Sequence, residues 1–219
     1  MAPLDHVVPL PENVSPDQSA CLGILGVMAH FAVHVGATLS GAHVLVQGAR
    51  GAVGMCAVQL ARQAGARLIG TVRSSAEEPA ARAAGAHEVV LNDQTLAERM
   101  KVLVPEGVDH VVEVAFGANV DVDVNLLKMG GSIGAYASDN ATPKIPFWLM
   151  VFKNIRPYFL GSEDFPTEAK LAATRDLNDV LRAGWPGFEI GERIPLAEIA
   201  RAHELAEHPE RRGCVVVTV

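Results

Sequence analysis

The chain has 219 residues, of which 49% are hydrophobic and 20% charged, so it can build a buried core and is not a disordered chain. Its net charge of −7 argues against nucleic-acid binding, which needs a basic patch. The sequence has no apolar run of the roughly 20 residues that a membrane span needs, and its start lacks the features of a signal peptide. Cys21, Cys56 and Cys214 lie far apart in apolar segments. This usage predicts buried thiols, no disulfide framework and a cytoplasmic protein.

The predicted elements begin with helices and continue as alternating strands and helices. Ser15 and Pro16 form a good helix start, and two helical stretches extend from there to Val35. Farther along, short apolar runs alternate with amphipathic stretches that end at glycine or proline. The predicted strands are 43–47, 67–72, 88–91, 110–115 and 132–137, and the predicted helices are 53–64, an alanine-rich stretch to 84, 94–103 and 120–128.

This alternation predicts an α/β fold with a doubly wound parallel sheet of the Rossmann type, covered by helices on both faces. We place the dinucleotide-binding domain at residues 41–162, after a linker and helices at residues 1–40. Residues 163–219 form a C-terminal α+β segment. Its predicted elements are a helix at 167–183, a strand near 188–194, a helix at 196–207 and a final strand at 214–219.

The most informative motif is the segment GARGAVG at residues 48–54, between the first predicted strand and the next helix. Glycines let the backbone approach a pyrophosphate, and a helix amino terminus offers free N–H groups and a partial positive charge. The spacing is GxxGxxG and not GxGxxG, but the order strand, turn, helix, strand supports a dinucleotide site. The alternative is that these glycines only allow a tight turn and close helix packing.

Arg73 ends the second predicted strand, nineteen residues after the last glycine of this turn. NAD sites usually place an acidic residue there to accept from the ribose. A guanidinium instead suits a 2′-phosphate, and Ser74 and Ser75 can donate beside it, so the pattern favours NADPH. Glu77 and Glu78 weaken this preference, although they fit the first turn of the next helix better. A merely solvated arginine is the alternative interpretation.

No side chain forms a convincing acid, base or nucleophile, so we predict no catalytic residue and no metal ligand. His30 and His34 are four residues apart on a helix, as two metal ligands can be. The sequence shows no third ligand, however, and ordinary packing is expected. Tyr136 has no lysine four residues later, so the tyrosine–lysine pair of short-chain reductases is absent. His203 and His208 are expected on the surface.

Five segments occur in a fixed order: LPENVS at 10–15, QGARGAVG at 47–54, AVQLA at 57–61, GAHEV at 85–89 and GGSIG at 130–134. Together they resemble the medium-chain dehydrogenase/reductases, in particular the zinc-free NADPH:quinone oxidoreductase branch. The resemblance covers nearly the whole chain. It implies NADPH as cofactor and hydride transfer to a small-molecule electron acceptor, a quinone or an activated alkene. It also implies that most of an N-terminal GroES-like catalytic domain, with which the C-terminal segment would belong, is absent.

The resemblance also implies a set of cofactor contacts. The expected contacts are Arg50, Gly51, Ala52 and Val53 at the pyrophosphate, Arg73, Ser74 and Asn92 at the adenosine with its 2′-phosphate, and Phe116, Gly117, Tyr136, Ala137, Ser138, Phe159 and Leu160 along the cleft to the nicotinamide. Two positions depart from the family pattern. Met28 stands where many relatives have a threonine near the nicotinamide, and Ala52 stands where a second glycine is common.

The same resemblance implies a homodimer, because relatives commonly join the sixth strands of two cofactor domains. The strand around Ile155–Gly161 is expected to form that contact, unless the missing domain or a loop covers it. Three functions stay open from the sequence. They are an NADPH-dependent quinone reductase, a catalytically incomplete NADPH-binding module or half-protein, and the enoyl reductase section of a larger synthase.

Overall fold

Strands and helices alternate along the chain in the predicted order. The computed structural model describes residues 7–161, 165–208 and 212–219. Its elements are α1 (Pro16–His34), β1 (His43–Val46), α2 (Ala52–Gln63), β2 (Arg67–Val72), α3 (Glu78–Ala83), β3 (Glu88–Leu91), α4 (Leu96–Leu103), β4 (Val108–Glu113), α5 (Phe116–Leu126), β5 (Leu127–Ala135), α6 (Phe147–Lys153), β6 (Arg156–Phe159), α7 (Thr167–Arg182), β7 (Ile190–Pro195), α8 (Ile199–Glu207) and β8 (Cys214–Thr218), with 3₁₀ turns at Ser75–Glu77 and Leu196–Glu198.

Six strands form one parallel sheet in the order β3-β2-β1-β4-β5-β6. β1 lies at the centre, where Val44 is paired with Leu68 of β2 on one side and with His110 of β4 on the other. The chain winds outward in both directions from this strand, so the sheet has a switch point between β1 and β4. This is the doubly wound Rossmann arrangement that the sequence predicts, and its ligand crevice lies at the carboxyl ends of the strands at that point.

Helices pack on both faces of this sheet through small and branched side chains. One core joins α1, α2 and α7 to the sheet, and the other joins α4, α5 and α6 to its opposite face. The approach of α1 is very close: a Cβ placed on Gly134 of β5 would lie 2.4 Å from the carbonyl oxygen of Ala32. Only glycine therefore fits at this point of the strand. The three cysteines are buried and free, as predicted.

A buried histidine joins the same helix to the sheet. His110 of β4 is fully buried, with its Nε2 2.7 Å from the carbonyl oxygen of Ala32 and its Nδ1 2.8 Å from the hydroxyl of Ser132. Because a carbonyl oxygen only accepts, Nε2 carries the proton and Nδ1 accepts from the serine. Burial is the main cause that lowers the pKa of His110. The fold therefore favours the neutral ring.

The C-terminal segment packs on the core of the sheet. Leu177 and Leu181 of α7 and Val216 of β8 are buried in the cluster that also contains α1 and α2 residues. The β7–β8 pair is a separate two-stranded parallel sheet. The side chain of Gln18 binds both the N–H and the carbonyl group of Phe188, at 2.7 and 2.6 Å. The predicted domain boundary at residues 162–163 lies outside the described residues, and the division into domains stays a prediction.

Several predicted boundaries differ from the structure. The N-terminal stretch is one helix, α1, and not two. β5 begins at Leu127 and not at Ser132, because Gly130 and Gly131 lie within the strand and do not end a helix before it. The register between β4 and β5 shifts at this early part of β5. Val108 pairs with Leu127, whereas His110 pairs with Ser132. Among the described residues, no helix is both long and apolar enough to cross a membrane.

Candidate functional site

The glycine-rich turn connects β1 to α2 at the switch point of the sheet. Gly48 has a positive φ of 66°, and its N–H donates to the Thr71 hydroxyl at 3.0 Å. Ala49 N–H donates to the carbonyl oxygen of the same threonine at 2.9 Å. A Cβ on Gly54 would lie 2.3 Å from the carbonyl oxygen of Gly48. The first turn of α2 is thus held directly against the loop, with no room for a side chain between them.

This contact leaves the amino terminus of α2 open to an anion. Its N-cap is Gly51, which has no side chain to cap the helix, and no acidic residue lies in the first turn. The N–H groups of Ala52 and Val53 have no acceptor within the helix, and the helix dipole adds a partial positive charge there. The geometry fits a pyrophosphate, which binds to such backbone groups.

The side chain of Arg50 connects this turn to the C-terminal segment. Its Nη2 lies 2.5 Å from a carboxylate oxygen of Glu189, a residue of the C-terminal segment, and its Nη1 lies 3.6 Å from the sulfur of Met55. The backbone of Arg50 belongs to the turn, whereas its guanidinium is paired with that segment. Sequence reasoning could not find this contact, because the two residues are far apart in the chain.

Arg73 follows directly after β2, at the edge where the turn lies. Its side chain is 80% exposed. Glu77 accepts from the backbone N–H of Arg73 at 2.9 Å, and its other oxygen lies 3.7 Å from the guanidinium. Both glutamates lie at a helix start, as expected: Glu77 ends the 3₁₀ turn as the N-cap of α3, and Glu78 lies in the first turn of α3. The carboxylate of Glu77 in addition folds back onto Arg73. Ser74 is exposed and precedes the 3₁₀ turn as its N-cap.

The next two predicted contacts follow β3 and β4. Asn92 is exposed, and its amide lies 3.5 Å from the side-chain oxygen of Asn119 on α5. Phe116 is buried, with its ring against that of Phe159 at 5.1 Å in an edge-to-face arrangement. Its ring belongs to the core, so it supports the cleft and does not form an open wall. Gly117 donates its N–H to the Ser138 hydroxyl at 3.2 Å.

The remaining predicted contacts follow β5 and β6. Tyr136 is half-buried, and burial followed by the nearby Glu113 raises its pKa. Ala137 and Ser138 are exposed after the strand. Phe159 ends β6 with an exposed ring, and Leu160 N–H donates to the carbonyl oxygen of Ala135 at 2.9 Å. All predicted contacts thus lie at the carboxyl edge of the sheet, although their role in binding stays a prediction.

A buried polar network beneath the glycine turn was not predicted. The Thr71 hydroxyl donates to the Gln47 side chain at 2.7 Å, and that amide donates to Asp123 at 2.7 Å. Glu113 lies beside Asp123 and is fully buried. Burial first, and Glu113 second, raise the pKa of Asp123 well above its ordinary value. A signal was present, because Gln47 and Glu113 follow runs of apolar strand residues.

Glu113 connects this network to the start of α5. Its carboxylate accepts from the backbone N–H of Ala115 and from the side-chain amide of Asn119 at 3.1 Å. Its carbonyl oxygen accepts from Tyr136 N–H at 3.1 Å. The network therefore extends from the glycine turn to the ends of β4 and β5. The network lies beneath the crevice and holds the backbone of the segments that border it.

The fold places a carboxylate beside His30 and His34, which the sequence does not show. Asp176 of α7 lies next to both histidines, and one ligand atom from each of the three residues lies within 4.8 Å of the others. This third group becomes apparent only in the fold, and the prediction of no metal ligand stays a prediction. His203 and His208 are exposed, as predicted.

Comparison with known proteins gives a consistent family. The sequence profile of the family described as zinc-binding dehydrogenase matches residues 52–174. A human quinone oxidoreductase is 30% identical over 212 residues, which cover 93% of this chain and 63% of that protein. A quinone oxidoreductase of Sus scrofa is 32% identical over 207 residues, which cover 91% of this chain and 61% of the relative. The chain thus spans less than two thirds of the length of these relatives.

Solved structures agree on the fold. The crystal structure of AibC superimposes on the whole chain with a TM-score of 0.84 and 26% identity, over 61% of that protein. A 2-haloacrylate reductase matches 97% of the chain with a TM-score of 0.83 and 24% identity, over 68% of that protein. The family profile and the quinone oxidoreductase relatives confirm the predicted resemblance to the medium-chain dehydrogenase/reductases, and the chain belongs to the zinc-binding dehydrogenase family.

Proposed function

We propose that this chain forms the cofactor-binding part of an NADPH-dependent reductase that transfers hydride to a quinone or another activated alkene. One observation carries the proposal. An uncapped helix amino terminus at Ala52 and Val53 and an exposed guanidinium at Arg73 lie on the same edge of a Rossmann sheet. A dinucleotide with an additional phosphate on its ribose presents anions to both groups.

In this proposal the chain binds and orients the cofactor and provides no acid or base. The N–H groups of Ala52 and Val53 bind the pyrophosphate, and Arg73 pairs with the 2′-phosphate while Glu77 holds its backbone in place. The strand ends at Tyr136 and Phe159 orient the nicotinamide. Bound NADPH supplies the hydride itself, and the protein contributes position and electrostatics.

The electron acceptor is inferred from relatives. The similar human and Sus scrofa proteins are named quinone oxidoreductases, which favours a quinone. A second candidate function also has support, because a mycobacterial polyketide synthase subunit is 32% identical over 124 residues, or 56% of this chain. This match favours reduction of an enoyl group on a larger assembly. A third candidate is an NADPH-binding module without turnover.

Calorimetric titration with NADPH and NADH, together with a quinone reduction assay, tests the proposal. We expect NADPH to bind more tightly than NADH, and quinone turnover distinguishes a reductase from a binding module. Arg73→Ala should weaken NADPH alone, whereas the control Arg201→Ala, which changes an exposed arginine of α8, should change neither affinity. Equal binding of the two cofactors would refute the assignment of NADPH. Absence of binding to both would refute the whole proposal.

We also propose that the chain is a homodimer through β6 and α6. β6 is an edge strand, and Phe147, Trp148 and Phe152 of the neighbouring α6 have exposures of 56, 67 and 70%. Exposed apolar patches of this kind favour association. Pro157 has no N–H to offer to a partner strand, so the aromatic side chains carry much of the contact. Phe152→Asp should yield a monomer in light scattering, whereas Val102→Asp on α4, also exposed, should not. A monomeric wild-type chain would refute the contact.

A further inference from the structure

Two helices bring three metal-binding side chains together on the face opposite α4 and α5. His30 and His34 lie on successive turns of α1, and Asp176 lies on α7. His30 Nε2 lies 2.9 Å from Asp176 Oδ2, and one ligand atom of each residue lies within 4.8 Å of the other two. No other such group of three is found in the part of the chain that the structure describes. We propose that His30, His34 and Asp176 bind a divalent transition-metal ion of the zinc class.

The chemistry of the three groups selects this class of ion. Two imidazoles and one carboxylate are a common ligand set for zinc, which binds nitrogen and oxygen at about 2.0–2.2 Å. Calcium and magnesium prefer sets made of oxygen alone. Histidines at positions i and i+4 lie on one face of a helix, so α1 places both rings beside each other. The neighbouring helix then adds the carboxylate.

A backbone carbonyl group orients the ring of His34. Its Nδ1 lies 2.9 Å from the carbonyl oxygen of His30. Because a carbonyl oxygen only accepts, Nδ1 carries a proton, and in the neutral ring Nε2 has the free lone pair. Metal-binding histidines commonly donate their other ring nitrogen to a backbone carbonyl in this way, which fixes the ring orientation. The site therefore has a preset tautomer at one ligand.

His30 is the more enclosed ligand. Its side chain is 12% exposed, and its ring stacks on that of His34 with 4.1 Å between centroids. Its Nδ1 is buried and has no hydrogen-bond partner among the described residues. In the metal-free chain Nε2 donates to Asp176. A metal at Nε2 would leave the ring proton on Nδ1, and Asp176 would act as a ligand in place of an acceptor.

Charge and access also fit a bound cation. Asp176 carries one negative charge, and its side chain is 48% exposed, so an ion can enter from solvent. Three protein ligands leave a fourth position for water in a tetrahedral site. The ion would link α1 to α7, and it would bind the folded chain because the ligands come from two separate helices. Binding should therefore stabilise the fold.

This site is separate from the proposed cofactor site. None of the three residues belongs to the glycine turn or to the carboxyl ends of the strands.

Titration of the tag-free, EDTA-treated chain with ZnCl₂ tests this inference. We expect one ion per chain, a rise in the melting temperature with zinc that EDTA reverses, and visible absorption of a low-symmetry complex with CoCl₂. His34→Gln and Asp176→Asn should each weaken zinc binding by roughly tenfold or more and remove the thermal shift. The control His203→Gln changes an exposed histidine of α8 and should leave binding unchanged.

Two outcomes would overturn the inference. One is wild-type protein without saturable binding at about 1 mM zinc, a weak-affinity limit. The other is zinc binding that both variants retain at full strength while circular dichroism shows them folded. Using two variants guards against misfolding of either one, since each removes a different helix's ligand. These measurements need no NADPH and no electron acceptor, so they are independent of the proposed reductase function.

Discussion

Replacing Gly54 by alanine tests how closely α2 is held against the glycine turn. The new Cβ would lie 2.3 Å from the carbonyl oxygen of Gly48 and 3.1 Å from Cα of Ala49. Both neighbours are backbone atoms, so no side-chain rotation relieves the overlap. Overpacking of this kind costs about 1–3 kcal/mol, whereas alanine gains about 1 kcal/mol over glycine inside a helix. Taking the upper cost for a backbone clash, we expect a net loss of about 2 kcal/mol in the free energy of unfolding.

Gly23→Ala provides the matched control. Gly23 is exposed in α1, and a Cβ there has no atom within 4 Å. This variant should gain about 0.5–1 kcal/mol from helix propensity alone. Urea unfolding at constant slope measures both changes, and the melting temperature should fall by roughly 4–8 °C for Gly54→Ala. If both variants are equally stabilised, α2 and the glycine turn can separate enough to accommodate a methyl group at residue 54. That result would refute the argument from close approach.

The same substitution should affect the cofactor site. If the new Cβ pushes α2 away from Gly48, the N–H groups of Ala52 and Val53 at the start of this helix change position. Because both cofactors contain the pyrophosphate, Gly54→Ala should weaken NADPH and NADH to a similar extent in calorimetry. Loss of NADPH binding alone would contradict a pyrophosphate role for this helix terminus.

Three further predictions concern single side chains. Arg73→Ala should weaken NADPH by about 1–3 kcal/mol, the scale of a charge-assisted hydrogen bond, and leave NADH almost unchanged in calorimetry; equal losses would refute the assignment. The pKa of His110 lies below its ordinary 6.5, so the unfolded chain binds a proton that the folded chain does not. Stability should therefore fall as the pH drops below 6.5, by up to about 1.4 kcal/mol per unit for this group. Urea unfolding at pH 7.5 and 5.5 should show a smaller decrease for His110→Gln, and an unchanged decrease would refute the burial argument. The raised pKa of Asp123 has the opposite sign, since the folded chain keeps a proton that the unfolded chain loses above about 3.8. The stability of Asp123→Asn relative to wild type should therefore rise between pH 5 and pH 8 in urea unfolding; a pH-independent difference would contradict a raised pKa of Asp123.

Local patterns predicted the fold because its determinants are local. The switch-point turn at residues 48–54 needs glycine for close approach, and the alternation of apolar runs with helices predicts the sheet. The start of β5 was missed because Gly130 and Gly131 usually end a helix, yet here they lie inside a strand beside a register shift. Glycine is compatible with a helix end and with a strand interior, and the pairing of β5 with β4 decides between the two.

Contacts between distant parts of the chain account for what the sequence could not predict at the sites. Asp176 is 146 residues from His30, and Arg50 is 139 residues from Glu189. Periodicity predicts which face of a helix is apolar, but not which residue of another helix will oppose one polar position on it. Polar residues at the ends of β1 and β4 were visible as exceptions in apolar runs. Their joining into one buried network depends on α5, whose start was also predicted four residues too late.

The pairing of Arg73 with Glu77 shows why position alone does not decide the proposed cofactor preference. Glu77 is 22% exposed and already accepts from the backbone of Arg73, whereas the guanidinium is 80% exposed and 3.7 Å away. Exposed ion pairs of this kind contribute about 0–1 kcal/mol. A hydrogen bond between the guanidinium and a 2′-phosphate contributes about 1.5–3 kcal/mol. The phosphate can therefore replace the carboxylate as partner without loss, while Glu77 keeps its stronger bond to the backbone. Glu77 then holds the backbone after β2 in place, and the guanidinium of Arg73 stays available for the 2′-phosphate.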